Sequence, residues 1–377
     1  MMKSIKDRIK LFVVQLYTQL HIFRFRQHQK KITNRILHHM DSFERKNPEI
    51  HICYWKQLAR RIDPRWYWIY SEINGLDDYR FIPADIYFLY VEPILNQRSM
   101  VLTYHDKNIY ERFDGTGLFP ITFLRNINGT FYDREYNPIL SLDPGQHLND
   151  FLDNAEKVVI KPSLASGQGR NLKIFNRSVD DLTIDYLNVH YGKNYVVQEY
   201  IESSNLFKSL NPQSLNCFRV NTYRSVTTNE VHTNQIILKI GRKNSYVDNV
   251  ASGGCFINVN SEDRLGQFAI GKFGRKQTIL DKMEIPFGDF GKIPQMNKIR
   301  TVAAKIAHMY PYHRLLGIDM CIDSNQKIRV IDINNMAIAV FVQALSGPLF
   351  GDNTDEVVDY CKHRKPRYDP IGVIERP

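Results

Sequence analysis

The sequence predicts an α+β protein whose helices are segregated from its strands rather than alternating with them. Three observations carry that expectation. A pattern of two apolar strands around a polar turn spans 317–334, a Ser/Gly-rich loop joins two short strands at 157–175, and a basic helical stretch opens the chain. Within residues 1 to about 50, Ile5, Ile9, Phe12, Leu16 and Leu20 recur at helical spacing. Aromatic clusters follow at Trp66-Tyr67-Trp68-Ile69-Tyr70 and Ile86-Tyr87-Phe88-Leu89-Tyr90, and read as core or interface. From Thr103 to Asp143 short strands alternate with turns such as Asn128-Gly129 and Asp143-Pro144-Gly145. Lys157 to Lys161 is a strand, 162–170 a loop, and Asn171 to Phe175 the returning strand. A helix near 178–190 precedes a strand at Tyr195–Ile201, then strands near 217–225, 231–241 and 253–259, and an Ala-rich helix near 297–310.

A chain of 377 residues has room for two or three buried cores. Its 43% hydrophobic and 24% charged content is ordinary for a globular protein, and 21 Tyr with 21 Phe argue against extended disorder. Cys53, Cys217, Cys255, Cys321 and Cys361 are scattered with no C-x-x-C pair, which fits reduced thiols better than a disulfide framework or a zinc site. The net charge of +10 is uneven: residues 1–50 hold eleven Lys/Arg against four acids. No nucleic-acid reading motif organises those cations, so nucleic acid is not the expected partner. A basic amphipathic helix suits an anionic membrane surface, and equally suits packing on the body with a solvated basic face. The apolar run from Leu11 is interrupted too soon to span a bilayer, and no small-residue cleavage site follows it. The expectation is a cytoplasmic protein, with a peripheral seat at the inner face of the membrane as its extension.

The 317–334 pattern carries chemistry. With the turn centred on Asn325-Gln326, Asp319 falls opposite Asp332, Ile318 opposite Ile333 and Met320 opposite Ile331. A period of two then places Asn334 on the face of Asp332. Two carboxylates opposed across a ladder repel unless something neutralises them. A divalent cation does so, and the oxygens of Asp319, Asp332 and Asn334 suit Mg²⁺ or Mn²⁺; the plain alternative is two exposed acids on a hairpin.

Ser163-Leu164-Ala165-Ser166-Gly167-Gln168-Gly169-Arg170 has the composition of a loop that covers phosphates, with Lys161 just before it. It is neither a P-loop nor a dinucleotide fingerprint, because a strand rather than a helix follows. Val158-Val159-Ile160-Lys161 and Asp289-Phe290-Gly291 imitate protein-kinase motifs, but the glycine loop lies on the wrong side of the lysine strand.

Taken in order, these residues resemble the ATP-grasp superfamily, and Asp106-Lys107 with Gly117-Leu118-Phe119-Pro120 resembles its opening segment in D-alanine–D-alanine ligases. The resemblance covers roughly 100–361. It implies an ATP-grasp fold, two α+β subdomains clasping ATP, after a helical, basic, aromatic-rich amino-terminal region. The boundaries it suggests are 1–100, 101–205, 206–362 and a tail at 363–377. By the same resemblance Lys107 and Lys161 hold nucleotide phosphates under a lid containing Ser166, Gly167 and Gly169. Gln198, Glu199 and Ile201 form the adenine hinge, with Gln where Glu is usual, and Asp319, Asp332 and Asn334 are the Mg²⁺ ligands. Leu215-Asn216-Cys217-Phe218-Arg219-Val220-Asn221-Thr222 and Val247-Asp248-Asn249-Val250-Ala251-Ser252-Gly253-Gly254 resemble the sugar-transfer-associated branch, and the second is also similar to ribosomal-protein glutamate ligases. The implied activity is a ligase joining a carboxylate, small or glycan-linked, to an amine or thiol through an acylphosphate, with Arg219 and Lys239 at the transferring group. Arg242, like Lys239 across Gly241, is a candidate for a phosphate or acylphosphate role, and the Gly253-Gly254 pair beside Asn249 is either a bulge or a backbone cradle for ligand. The resemblance also implies cell-surface polysaccharide biosynthesis as the setting, with peripheral contact with glycan-biosynthesis proteins; an ATP-grasp kinase acting on a sugar or polyol hydroxyl, and a nucleotide-binding scaffold of a glycan assembly complex, are the alternatives.

Overall fold

The computed structural model describes residues 5–40, 43–108, 117–164, 171–248, 250–278, 286–338 and 340–364. The helices are α1 (Ile5–His38), α2 (Glu49–Trp55), α3 (Arg65–Asn74), α4 (Ala84–Ile86), α5 (Glu92–Leu95), α6 (Val101–His105), α7 (Ile184–Tyr191), α8 (Asn205–Lys208), α9 (Met296–His308), α10 (Gln343–Ser346) and α11 (Thr354–Lys362). Two antiparallel sheets form the body. Strands β1 (Thr122–Ile127), β2 (Thr130–Tyr132), β3 (Pro138–Ile139), β4 (Lys157–Pro162), β5 (Lys173–Asn176) and β6 (Asn194–Glu199) make a six-stranded sheet in the order β3-β2-β1-β6-β4-β5. The second sheet has seven strands: β7 (Phe218–Arg224), β8 (Val231–Ile240), β9 (Cys255–Asn258), β10 (Ala269–Ile270), β11 (Lys276–Gln277), β12 (Leu315–Ile322) and β13 (Ile328–Asn334), in the order β11-β10-β9-β8-β7-β12-β13.

Local sequence explains much of this. Thr183 accepts a hydrogen bond from the Tyr186 N–H and so starts α7, which is shorter than the helix expected from Ser178 onward. Gly75, at φ 84°, closes α3 in the left-handed conformation that a side chain resists. Strand β12 reads Leu-Leu-Gly-Ile-Asp-Met-Cys-Ile and is buried at every position, because β7 and β13 flank it and both its faces are covered. On one face Ile299, Ala303 and Ile306 of α9 pack on Val220, Leu238 and Ile318.

The other face is divided. Toward one end Tyr223 and Leu315 join a core built from Trp55, Trp66, Tyr70, Phe81 and Tyr87 with the α10–α11 residues Ala344 and Val357. The aromatic clusters are therefore core, and the amino-terminal region shares that core with the carboxy-terminal helices. Toward the other end the same face carries Arg219, Asp319 and Asp332. Asn96 locks the two ends of the chain together. Its amide donates to the Leu315 and Asn335 carbonyls, both at 2.8 Å, and accepts from the Arg314 and Leu315 N–H groups, both at 2.9 Å. With three of the four bonds fully buried, Asn96→Leu is expected to cost about 3 kcal/mol or more, read from the urea midpoint; a loss below about 1 kcal/mol would show that these backbone groups find other partners.

Candidate active site between the two sheets

The hairpin register keeps two of the pairs the sequence predicts, Asp319 with Asp332 and Ile318 with Ile333, and adds a third, Gly317 with Asn334. It departs at the fourth. The ladder shifts after Asp319, so Met320 pairs with Val330 rather than Ile331. Such a bulge re-aims the strand beside it.

Register extends the acidic pair into rows. Arg219 on β7 faces Asp319, and Asn221 faces Gly317, giving one row Arg219-Asp319-Asp332 and a second Asn221-Gly317-Asn334. The Arg219 guanidinium makes a two-point contact with Asp319, Nε to Oδ1 at 2.6 Å and Nη2 to Oδ2 at 2.9 Å. A β-carbon at Gly317 would stand 3.2 Å from Arg219 Cδ and Nη1, so the glycine makes room for that side chain. Lys239 Nζ reaches Asp319 Oδ2 and Asp248 Oδ1, both at 3.1 Å. Burial alone would lower the Lys239 pKa, but Asp248 and Asp319 outweigh it and keep the ammonium charged. Burial likewise favours a neutral Asp319, and Arg219 and Lys239 overcome it, holding the carboxyl below its ordinary range. The cations that neutralise Asp319 therefore come from the chain.

Asp332 is more open, with its side chain 22% exposed, and Lys107 Nζ lies 3.4 Å from its Oδ1. Lys107 follows α6, and its N–H donates to the Ser163 carbonyl at 3.1 Å, which ties it to β4. Lys161, on β4, reaches the Ile331 carbonyl at 3.4 Å. Burial, and then the neighbouring Lys107, lower the Lys161 pKa to about 8. Lys107, from the segment after α6, and Lys161, from the opposite sheet, thus converge on β13.

The hinge lies beside them. A cavity lined by Val159, Lys161, Ile174, Gln198, Tyr200 and Ile331 opens along the end of β6. Gln198 is buried and donates to Thr122 Oγ1 at 2.9 Å, while its Oε1 has no partner. Glu199 is held from the other sheet, accepting from Arg329 Nη2 at 2.6 Å. Arg329 also donates to the Phe119 carbonyl at 3.0 Å. Ile201 lines the same cavity at the end of the hinge. Ser166, Gly167 and Gly169, and Asn249, lie outside the described residues. Gly253, at φ 91°, packs under Arg242, and both line a separate cavity of about 340 Å³ with Gly254 and Lys243.

A model of the sugar-transfer-associated ATP-grasp family matches residues 90–350. The chain belongs to that family. Among solved structures, this ATP-grasp chain is similar to the D-cycloserine synthetase DcsG, at 11% identity and a TM-score of 0.38 over 69% of each chain. It is similar to the ATP-grasp ligase PsnB complexed with minimal precursor, at 12% identity and a TM-score of 0.37 over 70% of this chain and 62% of that one. A third likeness is N5-carboxyaminoimidazole ribonucleotide synthetase from Thermotoga maritima, at 12% identity and a TM-score of 0.33 over 63% of this chain and 42% of that one. No curated protein sequence matches the chain.

Four residues of this ATP-grasp clasp carry no role in the sequence reading. Asp248 pairs with Lys239 and accepts the Cys217 N–H at 2.8 Å. Arg329 bridges the sheets. Asn221 is buried with neither amide atom partnered; it shares the strand parity of Arg219, which is the clue the sequence offered. His105 lies two residues before Lys107, its Nδ1 buried without a partner, and its pKa is lowered by burial and by Lys107.

Oxygen donors from Asp332, Asn334 and the orphaned Asn221 amide form a set that fits a hard divalent cation. The Asn334 amide nitrogen donates to the Gly317 carbonyl at 3.1 Å, which settles which end of that side chain is its oxygen. Asp319 would join the set only by releasing Lys239 or part of Arg219.

Proposed function

We propose that the protein is an ATP- and Mg²⁺-dependent ligase that activates a carboxylate as an acylphosphate and joins it to an amine or thiol. The observation that carries this reading is the convergence of Lys107, Lys161, Arg219 and Lys239 on the Asp319–Asp332 face, beside the hinge cavity. Four cations around one cleft suit a reaction whose charge builds on phosphoryl oxygens. Adenine would lie against Val159, Ile174 and the Gln198–Ile201 strand end, and Lys107 and Lys161 would hold the phosphates. Mg²⁺, held by Asp332 and Asn334, would supply further charge neutralisation on those phosphates. A carboxylate oxygen of the acid attacks the γ-phosphorus and ADP leaves. The amine or thiol then attacks the acyl carbon, inorganic phosphate leaves, and the attacking atom gives up its proton. Arg242 and the Gly253-Gly254 backbone border the cavity we assign to the acid.

Cysteine nucleophiles are not part of this proposal, because burial raises the Cys217 and Cys321 thiols well above their ordinary range. The family's description and the basic amino terminus together support an acid or amine from polysaccharide assembly at the cell surface, with the enzyme in the cytoplasm. A kinase reading is favoured by one observation: the neutral, half-buried His105 beside Lys107 could accept a hydroxyl proton.

Incubation with ATP, Mg²⁺ and pooled acids and amines separates these readings. ADP with an equal yield of free phosphate and a new amide or thioester supports the ligase. ADP with phosphate retained in the product supports the kinase, and nucleotide binding without turnover supports the scaffold.

Lys161 gives a pH signature at the same site. Its ammonium is charged below pH 8 and neutral above it. Attraction for phosphate is therefore lost as pH rises, and affinity for a non-hydrolysable ATP analogue is expected to weaken between pH 8 and 9.5, by up to about tenfold per unit. Lys161→Met should flatten that profile. A wild-type affinity constant across the range would remove Lys161 from the phosphate site.

A further inference from the structure

Helix α1 carries two features that the clasp does not use. From residue 25 onward it packs on the body: Phe25 meets Phe88 edge-on, and Thr33 and Ile36 are buried. Over residues 12–24 it stands largely free. Phe12, Val13, Leu16, Tyr17, Leu20 and Phe23 are between 44% and 64% exposed. At 100° per residue these six side chains occupy an arc of about 140° on the outward side of the helix. Val14, Thr18 and Ile22, on the inward side, are only partly exposed.

The second feature is a groove of about 1070 Å³ between α1 and the chain that leads into α3. Five cations line it, Arg26, Lys30, Arg60, Arg61 and Arg65, against the carboxylates Asp63 and Asp85. Arg65 takes up Asp63, and Arg26 lies 3.3 Å from Asp85. Lys30, Arg60 and Arg61 are exposed and join no ion pair among the described residues. Deeper in the lining, the Trp66 indole N–H has no acceptor although that side chain is only 5% exposed. A buried donor without a partner, under three unpaired cations, is the reverse of what a solvated basic surface requires.

We propose that α1 and this groove form a docking site for an anionic phospholipid surface. The lipid phosphate enters the groove against Lys30, Arg60 and Arg61. The Phe12–Phe23 face lies at the acyl boundary, where Phe and Tyr side chains are well accommodated. The helix lies on the membrane and does not cross it, since no helix among the described residues is long and apolar enough to span one. A second copy of the chain suits the face less well. Eleven cations against four acids in residues 1–50 repel their like, and the apolar arc is wider than a two-helix seam. This inference rests on α1 and the groove alone, so the ligase reading and the docking site stand or fall separately.

Sedimentation of the full-length protein with phosphatidylglycerol/phosphatidylcholine vesicles, and with pure phosphatidylcholine vesicles, tests it. Co-sedimentation with the anionic vesicles only, released by salt, is the expected result. Each cation lost near the surface is worth about fivefold in binding, so Arg60→Gln/Arg61→Gln should weaken it by about twenty-fivefold. Leu16→Ser/Phe23→Ser should weaken it at least about tenfold. Both variants should keep the circular-dichroism spectrum and the cooperative melting transition of the wild type, which report an intact fold. Three results would overturn the proposal: no sedimentation with anionic vesicles, sedimentation unchanged in both variants, or a dimer by light scattering that Leu16→Ser dissociates. Inorganic phosphate that binds and is lost in Arg60→Gln/Arg61→Gln, without vesicle binding, would assign the groove to a free anion instead.

Discussion

Asp332→Asn is expected to lower Mg²⁺-dependent turnover of ATP at least about a hundredfold while leaving the fold in place. The substitution removes charge without changing shape, and it does so at the open end of the Arg219-Asp319-Asp332 row. Asp332 is the carboxylate there that keeps contact with solvent, and its bond to Lys107 is a long one at 3.4 Å. An equilibrium readout does not depend on knowing the acid or the amine. Mg²⁺ should tighten binding of a non-hydrolysable ATP analogue in the wild type, and that enhancement should vanish in the variant. Equal enhancement in both proteins would take the metal away from the hairpin.

Much of the clasp was legible because its logic is local. Register follows from period two and a turn position, so the Asp319–Asp332 opposition could be read from residues 317–334 alone. The β4–β5 hairpin, β7 and α9 announce themselves through apolar periodicity and their bounding turn residues. The bulge that shifts Met320 to Val330 was not legible, since it depends on how β13 is held at Val330, whose N–H donates to the Leu118 carbonyl. The role of Glu199 was hidden for the same reason. Its partner Arg329 lies 130 positions away, on the other sheet. The outward side of α1 illustrates a further limit. Helical spacing identified Phe12, Leu16 and Leu20 as a stripe, yet spacing is the same whether a stripe meets protein or faces away from it. The identity of the neutralising cations also lay beyond the sequence. Opposed carboxylates demand positive charge, but only tertiary structure shows that Arg219 and Lys239 supply it to Asp319.

That last point separates two roles for Asp319 by the sign of a stability change. If Asp319 served only as a metal ligand, then in the absence of metal it would repel Asp332, and Asp319→Ala would stabilise the protein. The structure gives the opposite expectation. Asp319 is the common partner of Arg219 and Lys239, and its side chain is only 8% exposed. Its removal leaves two buried cations, Lys239 with Asp248 and Arg219 with no contacting carboxylate and Asp332 farther along the row, a loss expected to cost about 3–5 kcal/mol. Chemical denaturation of the metal-free protein measures it directly. Because the Asp319 pKa is depressed in the folded state, its contribution is present above the ordinary carboxylate range and fades as pH falls through the folded value. The gap between wild type and Asp319→Ala should accordingly narrow in acid. Replacing the pair together, as Arg219→Met/Asp319→Leu, should recover most of the lost stability, since the desolvation cost of the guanidinium is removed with its partner. Stabilisation of the metal-free protein by Asp319→Ala would instead restore Asp319 to the metal site and leave the Arg219 contact as a resting arrangement that metal displaces.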